Sequence, residues 1–271
     1  MDTSFEQKYN ELTSHLRKLE RVAIAFSGGV DSTFLVYAAQ EALGKDVIAF
    51  TLNSPYIPQW EVDEASEWIQ GIGVQHEVIN VGIPENIRNN PSDRCYLCKK
   101  QIFSLLKEEI KKHDIPWLLE GTNKDDEGDY RPGMKALDEL EVLSPLRAVG
   151  FTKAEIRQAS KKFDLPTWNK PAYACLLTRI PYDTTITETE LRRIEAGEKQ
   201  LFALGFEGAR LRSHDTLARI ELQQHQFEKM IDEETRQLIV GKLKNVGYQF
   251  VCIDLLGYRM GSYNETISKN T

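Results

Sequence analysis

A glycine-rich turn near the start of the sequence has the residue types needed to bind a phosphate group. It lies between a short apolar run, residues 22–26, and residues 32–44, whose apolar positions have helical spacing. Glycine allows the backbone close to a ligand, and amides at the start of a helix bind anions. No lysine lies in the turn, so it is not a Walker A loop. The predicted phosphate-binding residues are Ser27, Gly28, Gly29 and Ser32.

Two cysteines, Cys95 and Cys98, lie at the predicted start of a second helix. The spacing puts both thiols on one side of a turn, where the amide dipoles favour thiolates. A redox disulfide, half of a zinc site and part of an iron–sulfur site all use such a pair, and two incidental surface cysteines would give the same spacing. No second pair follows that would complete a zinc site locally. Lys99 is a candidate cation beside the thiols.

A run of carboxylates follows a predicted strand at residues 117–121. Gly121 ends that strand, and Asn123 and Asp125 come directly after it. Hard cations such as Mg²⁺ prefer oxygen ligands, so the loop suits the handling of magnesium and pyrophosphate. A solvated acidic loop is the alternative.

Arg210 and Arg212 are two residues apart on a predicted strand, so both side chains project from one face. Two adjacent guanidinium groups fit a phosphate group. Surface charges paired with Asp215 and Glu221 are the alternative.

The pattern of elements predicts the α/β class. Predicted strands at residues 22–26, 47–52, 75–80 and 117–121 alternate with helices, which is typical of a doubly wound parallel sheet with ligands at the carboxyl ends of its strands. Residues 187–271 have the pattern of a smaller α+β domain.

Composition narrows the function classes. The chain has 271 residues, 41% hydrophobic and 28% charged, with a formal net charge of −7. This balance argues against a general nucleic-acid-binding surface. No apolar run is long enough to span a bilayer, and the N-terminus does not resemble a secretory signal. We therefore expect a cytoplasmic protein whose four cysteines are not joined in disulfides.

The sequence SGGVDS at residues 27–32 resembles the signature of the PP-loop ATP pyrophosphatases, which have an adenine nucleotide alpha hydrolase-like fold. The resemblance implies that ATP binds with Mg²⁺ and is cleaved to AMP and pyrophosphate. It implies that Asp31 lies near the Mg²⁺ and that Thr51 and Asn53 lie near the adenine. Because such enzymes commonly carry a similar carboxylate motif, it also favours a functional role for Gly121, Asn123 and Asp125.

Residues 165–182 carry Trp-x-Lys-Pro, Cys-Leu and Arg-Ile-Pro-Tyr in that order, and the sequence continues to Gly257-Tyr258-Arg259. These motifs resemble the LarE family of ATP-dependent sulfur transferases over nearly the whole chain. The resemblance implies that Cys175 supplies or carries sulfur. The implied product is a thiocarboxylate on pyridinium-3,5-biscarboxylic acid mononucleotide, a precursor of the nickel-pincer nucleotide of lactate racemase. The residues implied to hold the substrate phosphate are Arg179, Arg210, Arg212 and Arg259.

Cys95 and Cys98 together with Cys175 resemble the branch of the family in which three cysteines hold a [4Fe-4S] cluster. The resemblance implies an open iron that carries hydrosulfide from a sulfide donor, with Cys175, Cys95, Cys98, Lys99 and Asp31 taking part in catalysis. Three alternatives stay open: sacrificial donation of sulfur from Cys175, a PP-loop enzyme that thiolates tRNA, and a non-catalytic nucleotide-binding scaffold that stores sulfur.

The predicted domains are residues 1–183, which form the PP-loop domain, and residues 184–271, which form an α+β domain for substrate binding and oligomerisation. Family members form homo-oligomers, hexamers among them, so the resemblance implies self-association. We expect neither a nucleic-acid nor a membrane partner.

Overall fold

The computed structural model describes residues 3–128, 132–171 and 173–259. The chain forms two compact units. The first runs to Pro84 and resumes over Cys95–Lys170, and the second consists of Glu85–Arg94 and the residues from Pro171 onward. The predicted division at residue 183 stays a prediction.

The first unit contains a four-stranded parallel sheet, which confirms the predicted α/β class. The strands are β1 (Val22–Ala25), β2 (Val47–Asn53), β3 (Gln75–Asn80) and β4 (Trp117–Leu119). The flanking helices are α1 (Thr3–Leu19), α2 (Val30–Leu43), α3 (Gln59–Gly71), α4 (Arg94–Lys111), α5 (Pro132–Glu139), α6 (Pro145–Val149) and α7 (Lys153–Lys162).

The order of the strands, β3-β2-β1-β4, decides where a ligand can bind. The chain builds outward from β1 to β2 and β3 and then returns to the other side of β1 with β4. Ligands of doubly wound sheets bind at the carboxyl ends of the strands where the order reverses, which here is between β1 and β4. The loops that follow these two strands contain the glycine-rich turn and the carboxylate run.

Apolar side chains of the sheet and helices form the core of the first unit. Ile24 of β1, Phe34 of α2 and Phe151 before α7 are fully buried and belong to one cluster. The rings of Phe34 and Phe151 meet edge to face at 5.5 Å. This packing fixes α2, and with it the turn that precedes it, against the sheet.

The second unit has a three-stranded sheet of order β5-β6-β7, formed by β5 (Arg210–His214), β6 (Leu217–Glu221) and β7 (Phe250–Ile253). β5 and β6 are antiparallel, and β6 and β7 are parallel. The helices are α8 (Glu188–Ala203), α9 (Phe227–Ile231) and α10 (Glu233–Asn245). The elements agree with the predicted α+β pattern.

Residues 85–94 join the second unit because of one buried amide. The side-chain nitrogen of Asn90 donates to the carbonyls of Ile180 at 2.9 Å and Pro181 at 2.8 Å. The backbone adds two bonds, from Asp183 to the Asn90 carbonyl and from Ile186 to the Arg88 carbonyl. The segment is therefore fastened to residues 180–186 by hydrogen bonds that spacing along the sequence does not reveal.

A buried ion pair organises the second unit. Arg179 is 1% exposed and Glu198 of α8 is 2% exposed. The guanidinium donates through Nε at 2.9 Å and through Nη2 at 3.0 Å to the two carboxylate oxygens. The same carboxylate accepts the backbone amide of Leu211 in β5. Glu198 thus holds together α8, β5 and the 3-10 turn Leu176–Arg179.

In the part of the chain that the structure describes, no helix is long and apolar enough to cross a membrane.

Replacing Glu198 by Gln will lower the free energy of unfolding by about 3 kcal/mol, because removal of one partner leaves a buried guanidinium charge uncompensated. Denaturant unfolding followed by circular dichroism measures the change. Glu188→Gln is the control, since Glu188 is an exposed carboxylate in the first turn of the same helix. Its loss will cost less than about 1 kcal/mol. Equal costs for the two variants would contradict a structural role for the buried pair.

Candidate active site

The turn after β1 has the geometry of an anion site. Gly29 is the N-cap of α2, and no side chain caps that helix. The first amides of an α-helix have no partner within the helix, so an uncapped start presents them to a ligand. Ser32 supports the turn, because its Oγ donates to the Gly29 carbonyl at 3.2 Å and lies 3.1 Å from Ser27 Oγ.

Gly28 meets two requirements that only glycine satisfies. Its φ of +66° lies in the left-handed region, where other residues are strained. A Cβ on Gly28 would lie 2.8 Å from the Cβ of Ala65 in α3. The turn therefore takes its sharp path directly against α3.

The loop after β4 passes the first turn of α2 at close range. A Cβ on Gly121 would lie 2.9 Å from the backbone nitrogen of Ser32. Asn123 then reaches Asp31, with its side-chain nitrogen 3.4 Å from Asp31 Oδ1. The structure thus brings together the two predicted groups, the glycine-rich turn and the carboxylate run.

The carboxylate run is ordered by its own hydrogen bonds. The amide of Asn123 donates to Asp126 Oδ2, and the amide of Asp125 donates to Asn123 Oδ1, both at 2.9 Å. Asp126 and Asn123 are buried. This loop is therefore ordered next to Asp31, although Asp125 itself is exposed to solvent.

Lys153 is a site residue that the sequence reasoning missed. Its ammonium group pairs with Asp31 Oδ2, and its backbone nitrogen donates to Asp125 Oδ2 at 2.8 Å. A capping box between Thr152 and Glu155 starts α7 at this lysine. A lysine in the first turn of a helix is disfavoured by the helix dipole, and that unfavourable placement was the available signal.

The charge of Asp31 is set by opposing effects. Burial raises the pKa of its carboxyl above the ordinary value, the ammonium group of Lys153 acts against this rise, and the charge of Asp126 adds to it. The Lys153 side chain therefore helps to keep Asp31 ionised in a partly buried position.

Thr51 and Asn53, which are predicted to lie near the adenine, both belong to β2, but Thr51 is buried within the sheet and Asn53 lies at the end of the strand. Thr51 is 3% exposed, and its hydroxyl donates to the Phe26 carbonyl at 2.9 Å. Its oxygen also lies 2.9 Å from His76 Nε2. Asn53 is at the end of β2, where its side-chain nitrogen donates to Asn80 Oδ1 at 2.9 Å. The Thr51 hydroxyl therefore joins strands of the sheet.

The paired cysteines lie in the first turn of α4. Cys95 is exposed and Cys98 is half-buried. The Cys98 thiol donates to the buried Tyr56 hydroxyl at 3.6 Å. Lys99 lies with its aliphatic stem against α5, since a Cβ on Gly133 would meet Lys99 Cδ at 2.6 Å. Both thiols belong to the first unit, whereas Cys175 belongs to the second.

Cys175 is half-buried and is the N-cap of the 3-10 turn Leu176–Arg179. Arg179 fixes this turn: Nη1 donates to the carbonyls of Ala174 at 2.7 Å and Cys175 at 3.2 Å. With Nε and Nη2 bound to Glu198, every nitrogen of this guanidinium has an acceptor. This differs from the predicted contact of Arg179 with a substrate phosphate, because its donors already hold the chain around Cys175.

The arginines of β5 are buried, unlike the surface pairs that the sequence left as an alternative. Arg212 pairs with Glu221 at 2.6 Å and also donates to the Thr178 carbonyl. Arg210 lies over the rings of Tyr173 and Tyr258, about 5 Å from each centroid. Burial, followed by the charge of Arg179, lowers the pKa of Arg210. Arg259 is partly buried, and the residues after it in the terminal motif lie outside the described residues.

Comparison with known proteins identifies the family of the chain. Residues 10–92 match the asparagine synthase family model. An uncharacterised protein of Synechocystis is 36% identical over 266 residues, which cover 97% of this chain and 99% of the relative. Pyridinium-3,5-bisthiocarboxylic acid mononucleotide synthase of Lactiplantibacillus plantarum is also 36% identical, over 264 residues that cover 95% of this chain and 94% of the relative.

The chain belongs to the LarE family. It is an ATP-dependent enzyme of the PP-loop class. An uncharacterised protein of Methanocaldococcus jannaschii, 31% identical over 258 residues, extends the same likeness to an archaeal relative.

The LarE motif Trp-x-Lys-Pro contributes a second lysine to the phosphate loop. Lys170 Nζ donates to the Gly28 carbonyl at 3.3 Å and to Glu64 Oε2 at 2.8 Å. Arg157 of α7 holds the motif in place by donating to the carbonyls of Trp168 and Lys170. Lys170 therefore links the glycine-rich turn to α3.

The residues around Asp31 fit a magnesium ion that arrives with ATP. Mg²⁺ keeps several waters and binds one or two carboxylates together with phosphate oxygens, so it needs no cage of protein ligands. Across residues 3–128, 132–171 and 173–259, no group of three or more His, Cys, Asp or Glu side chains is arranged to hold a metal ion. A magnesium ion that binds together with ATP needs only one or two protein carboxylates, and Asp31 beside the glycine-rich turn can provide one.

Replacing Gly121 by Ala will weaken ATP binding at least tenfold, because the new methyl group cannot fit beside the Ser32 amide without moving the first turn of α2. Isothermal titration with ATP and Mg²⁺ measures the effect. Gly71→Ala is the control, since nothing lies within 4 Å of a Cβ at that position in the same unit. Unchanged ATP affinity in Gly121→Ala would show that the contact does not shape the site.

Replacing Lys153 by Gln will lower kcat/KM for ATP cleavage by about a hundredfold, a loss typical of removing one charge-stabilising donor. Pyrophosphate release measures the rate. Lys161→Gln, an exposed lysine on the same helix, serves as the control and will keep the rate of the parent enzyme. A rate equal to that of Lys161→Gln would remove Lys153 from the site.

Proposed function

We propose that the enzyme adenylates a carboxylate of pyridinium-3,5-biscarboxylic acid mononucleotide and replaces the adenylate by sulfur. The observation that carries the proposal is the uncapped start of α2, flanked by the Asp31–Lys153 pair, in a chain similar along nearly its whole length to a mononucleotide synthase. The name of that relative gives a bisthiocarboxylic acid mononucleotide as its product.

The first half-reaction uses the first unit. The carboxylate oxygen of the acceptor attacks the α-phosphorus of ATP, and the bond from that phosphorus to the bridging oxygen breaks to release pyrophosphate. The amides of the first turn of α2 face the negative charge that develops on the leaving phosphates. Lys153 adds a positive charge at the same place, and Asp31 accepts Mg²⁺, which when bound neutralises phosphate charge.

The second half-reaction exchanges oxygen for sulfur. A sulfur nucleophile attacks the acyl carbon of the adenylate, and AMP leaves with the former carboxylate oxygen. Adenylation is needed because oxide is a poor leaving group, whereas AMP is a good one. We assign Cys175 to the sulfur-transfer step, with Arg179 as the residue that positions its turn.

Cys95 and Cys98 fit two ligands of an iron–sulfur cluster, because both thiols lie in one turn of α4 and thiolates are the natural ligands of such clusters. With Cys175 as the third ligand, a bound [4Fe-4S] cluster would supply sulfide at an open iron. Lys99 follows Cys98 directly and provides a cation next to the thiols.

The acceptor's phosphate requires a cationic site, and the second unit offers one. Arg210 lies over the rings of Tyr173 and Tyr258 in the same unit as Cys175, and we assign it the principal contact with the phosphate. Arg212 and Arg259 complete the proposed site. Arg179 takes the positioning role described above, because its donors are occupied.

The proposal is tested by incubating the enzyme with ATP, Mg²⁺, sulfide and the biscarboxylate mononucleotide. We expect a product in which one oxygen is replaced by sulfur, with equal amounts of AMP and pyrophosphate, detected by mass spectrometry. Cys175→Ala will abolish the thiocarboxylate, whereas Cys252→Ala, a half-buried cysteine of β7, will keep it. ATP cleavage stimulated by tRNA, or ATP binding without pyrophosphate release, would contradict the proposal.

The sulfur source is tested by anaerobic reconstitution with iron and sulfide. We expect a coloured, iron-containing protein that Cys95→Ala abolishes and Cys252→Ala preserves. A colourless protein, together with a loss of one H₂S equivalent from the enzyme after turnover, would contradict the cluster and identify Cys175 as a sacrificial donor.

A further inference from the structure

One buried arginine of the second unit has two guanidinium nitrogens without an acceptor among the described residues. Arg94 is 4% exposed, and its Nε and Nη1 have no hydrogen-bond partner among the described residues. A guanidinium group is always charged and carries only donors. Burying such a group without acceptors is costly, because nothing replaces the water it has lost.

The guanidinium group of Arg94 lies over the face of an aromatic ring, that of Tyr182. Its Cζ lies 4.3 Å from the centroid of the Tyr182 ring. A cation stacked on an aromatic ring is stabilised through the face of the guanidinium plane. The N–H bonds point outward within that plane, so stacking on the ring does not supply them with an acceptor.

Two other buried arginines of this unit, each with at most one nitrogen that lacks an acceptor, show how a structural guanidinium is treated. Arg179 has Glu198, and Arg212 has Glu221. In both cases a buried carboxylate and backbone carbonyls accept the N–H bonds. Arg94 differs from them in having two buried nitrogens without an acceptor.

The position of Arg94 does not depend on its own charge. The amide of Asn90 holds residues 85–94 against residues 180–186 through the carbonyls of Ile180 and Pro181. These bonds fix the backbone that carries Arg94 and the backbone that carries Tyr182. The stacked pair is therefore preorganised by its neighbours.

We propose that Arg94 and Tyr182 form a binding site for an oxyanion, a carboxylate or phosphate group of the acceptor. The fork of N–H donors in a guanidinium matches the oxygen pair of either group. Arg94 is the first residue of α4 and directly precedes Cys95 in the sequence. The assignment to the acceptor rests on the proposed function, whereas the existence of the anion site does not.

This inference predicts opposite effects on stability and binding. In the absence of a ligand, Arg94 is a buried charge with two nitrogens that lack acceptors, so replacing it by Met will leave the melting temperature unchanged or raise it. The same variant will lose anion binding. A structural arginine would behave in the opposite way, because its loss would lower the melting temperature.

The test is isothermal titration of the full-length enzyme with pyridine-3,5-dicarboxylate and, separately, with inorganic phosphate. We expect Arg94→Met to weaken binding of the preferred anion at least tenfold, and Arg94→Lys to weaken it less, since the charge remains without the fork. Arg88→Met is the matched control, because Arg88 belongs to the same segment but is exposed and pairs with Glu85. The probe that binds with the higher affinity identifies the group that Arg94 holds as a carboxylate or a phosphate.

Anion affinity in Arg94→Met equal to that of Arg88→Met would overturn the proposal, and so would a clear fall in melting temperature or failure of Arg94→Met to fold. Steady-state kinetics then separate this site from the proposed function. In Arg94→Lys we expect a higher KM for the acceptor with kcat nearly unchanged. If the parent enzyme binds the anions through Arg94 but forms no thiocarboxylate, the proposed function fails and the anion site stands.

Discussion

The start of α2 is the constraint on which the first unit depends. A helix that begins without a side-chain cap leaves amides that need a partner, and this helix is fixed in place by the packing of Phe34 and Phe151. The turn that leads into it requires Gly28 because of its left-handed backbone and its contact with Ala65. The loop after β4 requires Gly121, because a Cβ at this position would lie 2.9 Å from the backbone nitrogen of Ser32. Because neither glycine has a side chain, the backbone can approach the amides at the start of α2 closely.

Charge is distributed around that helix start in a consistent way. Asp31 and Lys153 pair beside it, and Lys170 binds the carbonyl of Gly28. Two ammonium groups near this turn suit a ligand that carries several negative charges. In the second unit, by contrast, the carboxylates of Glu198 and Glu221 neutralise buried arginines, and Arg210 lies between tyrosine rings. The charges of the first unit thus suit a phosphate ligand, whereas the carboxylates of the second unit neutralise two of its buried arginines.

Much of the fold could be predicted from the sequence because it depends on local patterns. Apolar runs and glycine turns gave the four parallel strands, and the spacing of Cys95 and Cys98 placed them at the start of a helix, as observed. The motifs also predicted the family, which the likeness to the Lactiplantibacillus plantarum relative confirms.

The sequence could not predict which residues that are far apart in the chain contact one another in the fold. Spacing along β5 left Glu221 as one possible partner of Arg210 and Arg212, but it did not show that both arginines are buried and that Arg212 forms the pair. Lys153 was overlooked because its partner Asp31 is far away in sequence. The attachment of residues 85–94 to the second unit depends on Asn90, whose acceptors lie in another segment. Such contacts follow from topology, which local periodicity does not specify.

The central claim is that ATP activates the acceptor by transfer of the adenylyl group to its carboxylate. The most direct measurement uses an acceptor whose carboxylates carry the heavy isotope of oxygen, with mass analysis of the AMP released during thiocarboxylate formation. Because AMP leaves with the oxygen that attacked the α-phosphorus, the account predicts one heavy oxygen atom in each AMP. AMP without the label, formed together with the thiocarboxylate, would contradict it.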